Sequence, residues 1–348
     1  LLNVPVGTTI TGKGSIRETH PLSIGVIGAR GGTSFSNALV KESDLIFYIG
    51  SNTDSAGTDH WQLPKTDTEK EIIQLDISPE EIGNNYPVSV GLLGDAKATL
   101  GEMISLVDEM GGKEKAKDYY GSRIEDIRRR KRNFRNKIES KMNSDQTPIH
   151  PLRFLKELIN TIPDNALIVS DPGVGAIYPS AFYQLEEAGR NIVFNYALGA
   201  LGYALPASIG ACFSAPDSPV IALVGDGSFG FSSGELETLK RLGRNINIIT
   251  FNNASFGWIR AAYRFNFETT RYFQTGFSET DYSKIAESYG INAYKLTGPA
   301  DIYDILRKAF EVDGPSFIDL KVKSEDELVP PVPSWSEKAT KENLDNVY

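Results

Sequence analysis

Two polar residues in this sequence each close a hydrophobic run. Asp226 follows "VIALVG" and Asn253 comes 27 residues later, at the end of "NIITFN". That interval fits one strand end, one helix over about 232–242 and one return strand. If the two strands are neighbours, a carboxylate and an amide oxygen open into one crevice. Both are hard donors suited to Mg²⁺ or Ca²⁺, and Mg²⁺ completes its octahedron with phosphate oxygens and water. Gly227 permits a close backbone approach, while Ser228 and the following helix N-terminus offer donors to an anion. The combination predicts a metal-bridged diphosphate site. Taken singly, Gly-Asp-Gly is a common turn and Asn-Asn a common strand ending. Their joint spacing after two apolar runs sets them apart.

The elements that must position this pair are parallel strands. The segments 166–171, 191–195, 220–226, 245–251 and 316–322 are apolar or β-branched and alternate with helical stretches. Such alternation predicts a doubly wound parallel sheet over 151–323, with ligands beyond the carboxyl ends of its strands. Residues 1–112 read as a shorter, incomplete Rossmann-like central domain of about four strands, with 44–50 and 71–77 buried and 94–110 helical. The first residues, 1–6, look like part of a buried strand. Residues 113–150 are charge-rich and helical, suiting a surface linker that Pro148 and Pro151 punctuate. The remainder, 324–348, is expected as an extended flap or a loose end.

Composition narrows the class. A length of 348 residues, 40% hydrophobic content and 32 glycines fit a two-domain α/β protein. A net charge of −9 argues against nucleic acid as partner, because phosphate backbones require a basic face. The run Arg128-Arg129-Arg130-Lys131-Arg132 has Glu125, Asp126 and Glu139 beside it and reads as a solvated helix face. Cys212 stands alone, so no disulfide framework or thiolate metal cluster is expected. No signal peptide is visible and no apolar run approaches the roughly 20 residues that span a bilayer. A cytoplasmic protein without membrane contact is expected.

The stretch 224–258 resembles the thiamine-diphosphate motif, Gly-Asp-Gly followed by a helix and Asn-Asn. Over nearly its whole length the chain is similar to the acetolactate synthase-like branch of the thiamine-diphosphate enzymes. Supporting stretches are "TGKGSIRETHPLSIGVIG" (11–28), "LDISPEEIGNN" (75–85), "VSDPGVGAIY" (169–178) and "LGALGYALPASIGA" (198–211). The resemblance implies that Asp226, the Asn253 side chain and the Ser255 carbonyl hold Mg²⁺. It also places Gly173, Val174, Gly175, Gly199, Gly225, Gly227, Ser228, Phe256 and Gly257 against thiamine diphosphate. Leu201 would be the apolar fulcrum under the bent cofactor, pressing its amine toward the reactive thiazolium carbon; the same residue also fits a helix core. Val174, Gly175 and Ala176 replace polar groups of family members, which leaves backbone contacts only.

The family activates its cofactor with a glutamate on an N-terminal pyrimidine-binding domain. This chain starts inside the central domain, so a complementary polypeptide, separately encoded or cleaved, is expected to supply that glutamate. Glu235 and Glu237 read instead as helix-surface and first-turn charge. Decarboxylase relatives place a protonating glutamate six residues after the metal-binding asparagine, where this chain has Ile259. Its absence favours carboligation of a 2-oxo acid such as pyruvate. Trp258 and Ile259 then line the acceptor pocket, or belong to the first turn of a packed helix.

Three departures from the synthases keep alternatives open. Trp258 stands for a Met and Ala262 for a Trp, and "GSNTDSAGTDHW" (50–61) keeps Asp54 but has Ala56 where an Arg meets FAD. FAD, nucleotide contact by His20 or His60, a 2-hydroxyacyl-CoA lyase or 2-oxo-acid decarboxylase, and a noncatalytic cofactor-binding subunit therefore stay in view. A dimer or tetramer is expected. The prolines of "LVPPVPSW" (328–335) lower the entropy of the free segment and Trp335 is a large anchor, so this part of the tail is expected to close over the crevice. The polar stretch after it fits a loose end.

Overall fold

The computed structural model describes residues 2–342 and 344. The parts of the first apolar run and of the polar tail that fall on residues 1, 343 and 345–348 lie outside them. Eleven strands are present among the described residues: β1 (Val6–Thr8), β2 (Ser23–Val26), β3 (Leu45–Ile49), β4 (Glu71–Asp76), β5 (Val90–Leu93), β6 (Leu167–Ser170), β7 (Ile192–Phe194), β8 (Val220–Gly225), β9 (Ile246–Asn252), β10 (Asn292–Leu296) and β11 (Ser316–Lys321). They form three sheets, all parallel.

The largest sheet has six strands in the order β10-β11-β9-β8-β6-β7. Alternation along each strand splits its side chains between two cores. Ile168, Ile221, Leu223, Ile249, Phe251, Ile318 and Leu320 join a core closed by the helices Pro151–Thr161, Val174–Phe182 and Ile302–Phe310. Val169, Val220, Ala222, Val224, Ile246, Ile248 and Phe317 join another, closed by Ala204–Ser214, Glu235–Leu242 and Tyr282–Ser288. With both faces covered, uninterrupted apolar runs are the stable sequence, which is why these strands are legible. The chain leaves β6 toward β7 on one side and returns with β8 on the other. That reversal is the switch point at which strand carboxyl ends leave a crevice.

The first 112 residues differ from the single layer of about four strands. They contain five strands in two separate sheets, β1-β2 and β3-β4-β5. The first strand begins at Val6, and Leu2 and Val4 are exposed rather than buried. β10 is absent from the sequence reading because it is an edge strand whose polar residues break the apolar run.

The helix Gly112–Met142 is more than a surface linker. Ile127, Phe134 and Ile138 recur at helical spacing and sink into the first core, where Phe134 stacks on Phe35 at 6.5 Å and Phe182 at 6.2 Å. Most of the basic run is on its outer side, with Arg128 paired to Glu125 at 2.6 Å and Arg130 to Glu42 at 2.7 Å, but Lys131 turns inward and donates to the Glu18 and Ser23 carbonyls, each at 3.4 Å.

After β11 the chain does not trail away. Pro333 opens the helix Pro333–Lys341, a position where its missing N–H costs nothing. Trp335 is buried against Phe265 at 5.5 Å and Trp258 at 4.7 Å, and its indole N–H donates to Asn266 Oδ1 at 2.7 Å. Val329, Val332 and Ala339 complete this small core. Replacing Trp335 with Ala empties it and should cost about 3–5 kcal/mol. Urea unfolding of Trp335→Ala measures that loss; an unchanged midpoint would mean that the tail contributes nothing to the fold.

Candidate functional site

The register that pairs Gly225 with Phe251 brings the ends of β8 and β9 side by side. Asp226 begins the short helix that follows β8 and is buried. Its Oδ1 accepts the Gly227 N–H at 2.7 Å, and its Oδ2 accepts those of Asn253 at 3.0 Å and Ser255 at 3.3 Å. Burial pushes this carboxyl up to about 6, against the pull of those backbone donors.

The two asparagines after β9 do different work. Asn252 is buried and structural, donating to Asp319 Oδ1 at 2.9 Å and the Thr280 carbonyl at 3.1 Å. Ala254, at φ 53°, then bends the chain back. Asn253 turns into the crevice, where its Oδ1 accepts from the Ser255 N–H and hydroxyl, each at 3.0 Å. Its Nδ2 donates to Glu325 Oε2 at 2.7 Å.

Glu325 is the residue that sequence reasoning missed. It is buried, and burial raises its carboxyl to about 7 despite backbone N–H groups at Glu325 and Val174; the Asp226 charge pushes the same way. Its presence explains Gly257, where a Cβ would fall on Glu325 Oε2 and within 2.6 Å of Asn253 Nδ2. Gly227 is fixed by a similar approach, since a Cβ there would lie 2.5 Å from the Phe256 ring. Phe256 itself packs edge-on against Phe277 at 4.6 Å. The acidic run 324–326 reads locally as a polar tail. It follows β11, however, and so emerges at the same end of the sheet as Asp226. That placement was the available signal.

Asp171, just past β6, was also missed. Its Oδ1 accepts the N–H groups of Tyr203 at 2.8 Å and Ala204 at 3.0 Å, while burial raises it to about 6.

The other expected residues lie on the elements flanking the ends of the six-stranded sheet. Gly173, at φ 110°, leads into the helix Val174–Phe182, whose Val174 and Ala176 are buried. Gly175 packs so closely on the sheet that a Cβ would sit 3.2 Å from Leu223 and Phe251. Leu201 precedes the helix Ala204–Ser214 and is 37% exposed, so the helix core is not its place. Gly199, at φ 68°, lies two residues before it. Trp258 and Ile259 open the helix Gly257–Phe267, with Ile259 exposed. Glu237 is an exposed partner of Arg241, as expected for helix surface.

The segment 50–61 is occupied with its own folding. Asp54 Oδ1 accepts the Gly57 N–H at 2.7 Å, and the Ala56 carbonyl accepts from Ala29 at 2.7 Å. His20 and His60 are exposed.

Asp226, the Asn253 amide oxygen and the Ser255 carbonyl are all oxygen donors, the set that a hard divalent cation takes. Two buried carboxyls, Asp226 and Glu325, raise a negative potential that such a cation would offset. The residues therefore fit Mg²⁺ and the diphosphate it bridges. Among the described residues no group of three or more His, Cys, Asp and Glu could hold a metal ion. Among them, no helix is long and apolar enough to cross a membrane.

Comparison with known proteins agrees with this geometry. Residues 173–320 match the thiamine pyrophosphate enzyme C-terminal TPP binding domain, and residues 1–103 match the thiamine pyrophosphate enzyme central domain. The chain is 32% identical over 341 residues to the probable acetolactate synthase large subunit of Methanococcus aeolicus, covering 95% of this chain and 56% of that protein. It is 29% identical over 343 residues to the probable large subunit of Methanocaldococcus jannaschii (95% and 55%). Against the acetolactate synthase large subunit of Haemophilus influenzae, identity is 27% over 331 residues (94% and 56%). The chain thus spans about half the length of the curated relatives it matches.

Two outcomes test the site. Removing Glu325 frees the Asn253 amide to rotate, so Glu325→Leu should weaken Mg²⁺-dependent cofactor binding by roughly 10- to 100-fold. Glu325→Gln keeps a carbonyl acceptor and should retain most of it; calorimetry that finds the two variants alike removes this role. The second outcome concerns pH. Asp171 and Asp226 near 6 and Glu325 near 7 all lie above the ordinary carboxylate range, so the cation-free fold binds protons that the unfolded chain has released. Their stabilising contribution is complete below about pH 4 and is lost as pH rises through about 6 to 7. In chelator, Asp226→Asn should flatten part of that slope in thermal melts, and an unchanged slope would assign it elsewhere.

Proposed function

The chain belongs to the thiamine pyrophosphate enzymes, and we propose that it carries the diphosphate-binding half of an acetolactate synthase-like site. In this reading the site decarboxylates a 2-oxo acid such as pyruvate and joins the remaining two-carbon unit to a second carbonyl. The convergence of Asp226, Asn253 and Ser255 at adjacent strand ends supports it most directly. When bound, thiamine diphosphate supplies the electron sink for cleavage beside the 2-oxo carbon.

The chain's own residues bind and orient. Asp226, the Asn253 side chain and the Ser255 carbonyl would hold Mg²⁺, and Glu325, by accepting from the Asn253 Nδ2, would leave the amide oxygen for that role. Gly173, Gly225 and Gly227 would let backbone come close to the cofactor, and Leu201, exposed ahead of its helix, would offer it an apolar contact. Trp258 and Ile259 border the acceptor side. Ile259 has no proton to donate, so this position would not favour release of an aldehyde over joining to a second carbonyl. Trp335, packed on Trp258, helps keep water from that side.

Turnover also requires a pyrimidine-binding domain to supply an activating glutamate, whether in the same polypeptide or a partner. A cytoplasmic assembly of two or four chains goes with this reading, and no role is assigned to FAD. A 2-hydroxyacyl-CoA lyase or a 2-oxo-acid decarboxylase is the second reading, supported by Trp258 and Ala262 where synthases carry Met and Trp.

The test is product analysis of the assembled holoenzyme with pyruvate. Acetolactate is expected, whereas acetaldehyde alone, or no consumption of pyruvate, would overturn the carboligase reading. Asp226→Ala should cost more than roughly 100-fold in Mg²⁺-dependent cofactor affinity, beyond the loss expected for a residue that only supports a ligand.

A further inference from the structure

Among the described residues, one cation near the crevice, Arg30, has a ring partner but no hydrogen bond or ion pair. Arg30 lies in the loop after β2, and that loop is held on three sides. The Gly28 N–H donates to Asn37 Oδ1 at 2.9 Å, Asn37 Nδ2 donates back to the Gly28 carbonyl at 3.1 Å, and the Ala29 N–H donates to Ala56 at 2.7 Å. Gly28 and Gly31 have φ of 91° and 76°, and a Cβ at either would collide, at Gly28 with the Ala56 carbonyl and at Gly31 with the Ser180 side chain. The backbone is thus wedged between the 54–58 loop and the helix Val174–Phe182. Ala29 is fully buried, which leaves Arg30 as the one long side chain the loop delivers.

Its guanidinium lies 5.1 Å from the centre of the Trp258 ring. Trp258 follows Gly257, the residue pressed against Asn253 and Glu325, so the cation lies over the start of the helix that packs on those two residues. Among the described residues Arg30 makes no ion pair and no hydrogen bond. Its charge reaches the Tyr196 phenol, whose oxygen accepts the Gly173 N–H at 3.3 Å, and Asp59, without bonding either. An indole face attracts a guanidinium but uses none of its N–H groups. Five donors in a planar fork remain, half-buried, over the helix that borders the crevice.

We propose that Arg30, stacked on Trp258, is the carboxylate-recognising group of this site and that it anchors the carboxylate of a small 2-oxo acid. This rests on the function proposed above and specifies it. A planar fork matches a carboxylate through two parallel hydrogen bonds, and the ring beneath limits its rotation before the ligand arrives. The role is specificity: a neutral isostere gives the fork no charge to pair with.

The probes are oxamate, a non-reacting isostere of pyruvate, and its uncharged methyl ester, titrated by calorimetry and tryptophan fluorescence into the assembled protein loaded with Mg²⁺ and thiamine diphosphate. Wild type should prefer oxamate. Arg30→Gln should lose roughly 10- to 100-fold for oxamate, the scale of a paired charge-assisted contact, with little change for the ester and none for the cofactor. Arg30→Lys, which keeps the charge but not the fork, should fall between. The inference is overturned if oxamate binds Arg30→Gln as it binds wild type, if ester and oxamate lose equally, or if cofactor-loaded wild type does not prefer oxamate. Failure of wild type to bind thiamine diphosphate would instead overturn the function on which the inference rests, and the inference with it.

Discussion

A carboxylate removed from water governs this structure. Asp226 is buried at the end of β8 and answered by three backbone N–H groups, two of them from the turn after β9. Those bonds form only if β8 and β9 pair in one register, because a slip of one residue would turn the side chains to the opposite faces. The six-stranded sheet, with a separate core on each face, is what keeps that register. Burial of this carboxylate is costly in itself, and Glu325 adds a second buried carboxyl beside the first. In the function proposed above, a divalent cation would offset that cost.

Legibility followed burial. The strands on either side of the switch point were visible because they are apolar on both faces, and β8 and β9 hold no charged residue before Asp226 and Asn253. The pairing of those two residues followed from the same pattern. What stayed hidden depends on contacts between distant segments. β10 is an edge strand with a polar face, the buried stripe of the long helix is three apolar residues amid charges, and Trp335 could be recognised as an anchor without its partners being known. Glu325 and Arg30 sit in stretches that look like ordinary polar loops. Their roles come from what they face, and no local period encodes that.

Three segments outside the sheet converge on one short helix. The loop after β2 sends Arg30 to Trp258, the tail stacks Trp335 on the same ring, and Glu325 fills the space that Gly257 leaves. The helix Gly257–Phe267 therefore has little freedom at its start, the end pressed against Asn253 and Glu325. Rigid support of this kind keeps polar groups aimed without ligand present.

Glu325 also imposes an order on biosynthesis. A ribosome delivers β6, β8, β9 and β11 before it delivers position 325, so the sheet can close while the Asn253 amide still lacks the acceptor that orients it. A nascent chain would then possess the scaffold of the site before its finished chemistry. Metal capture would wait for the segment beyond the last strand, and the growing polypeptide would be spared an early and incomplete load.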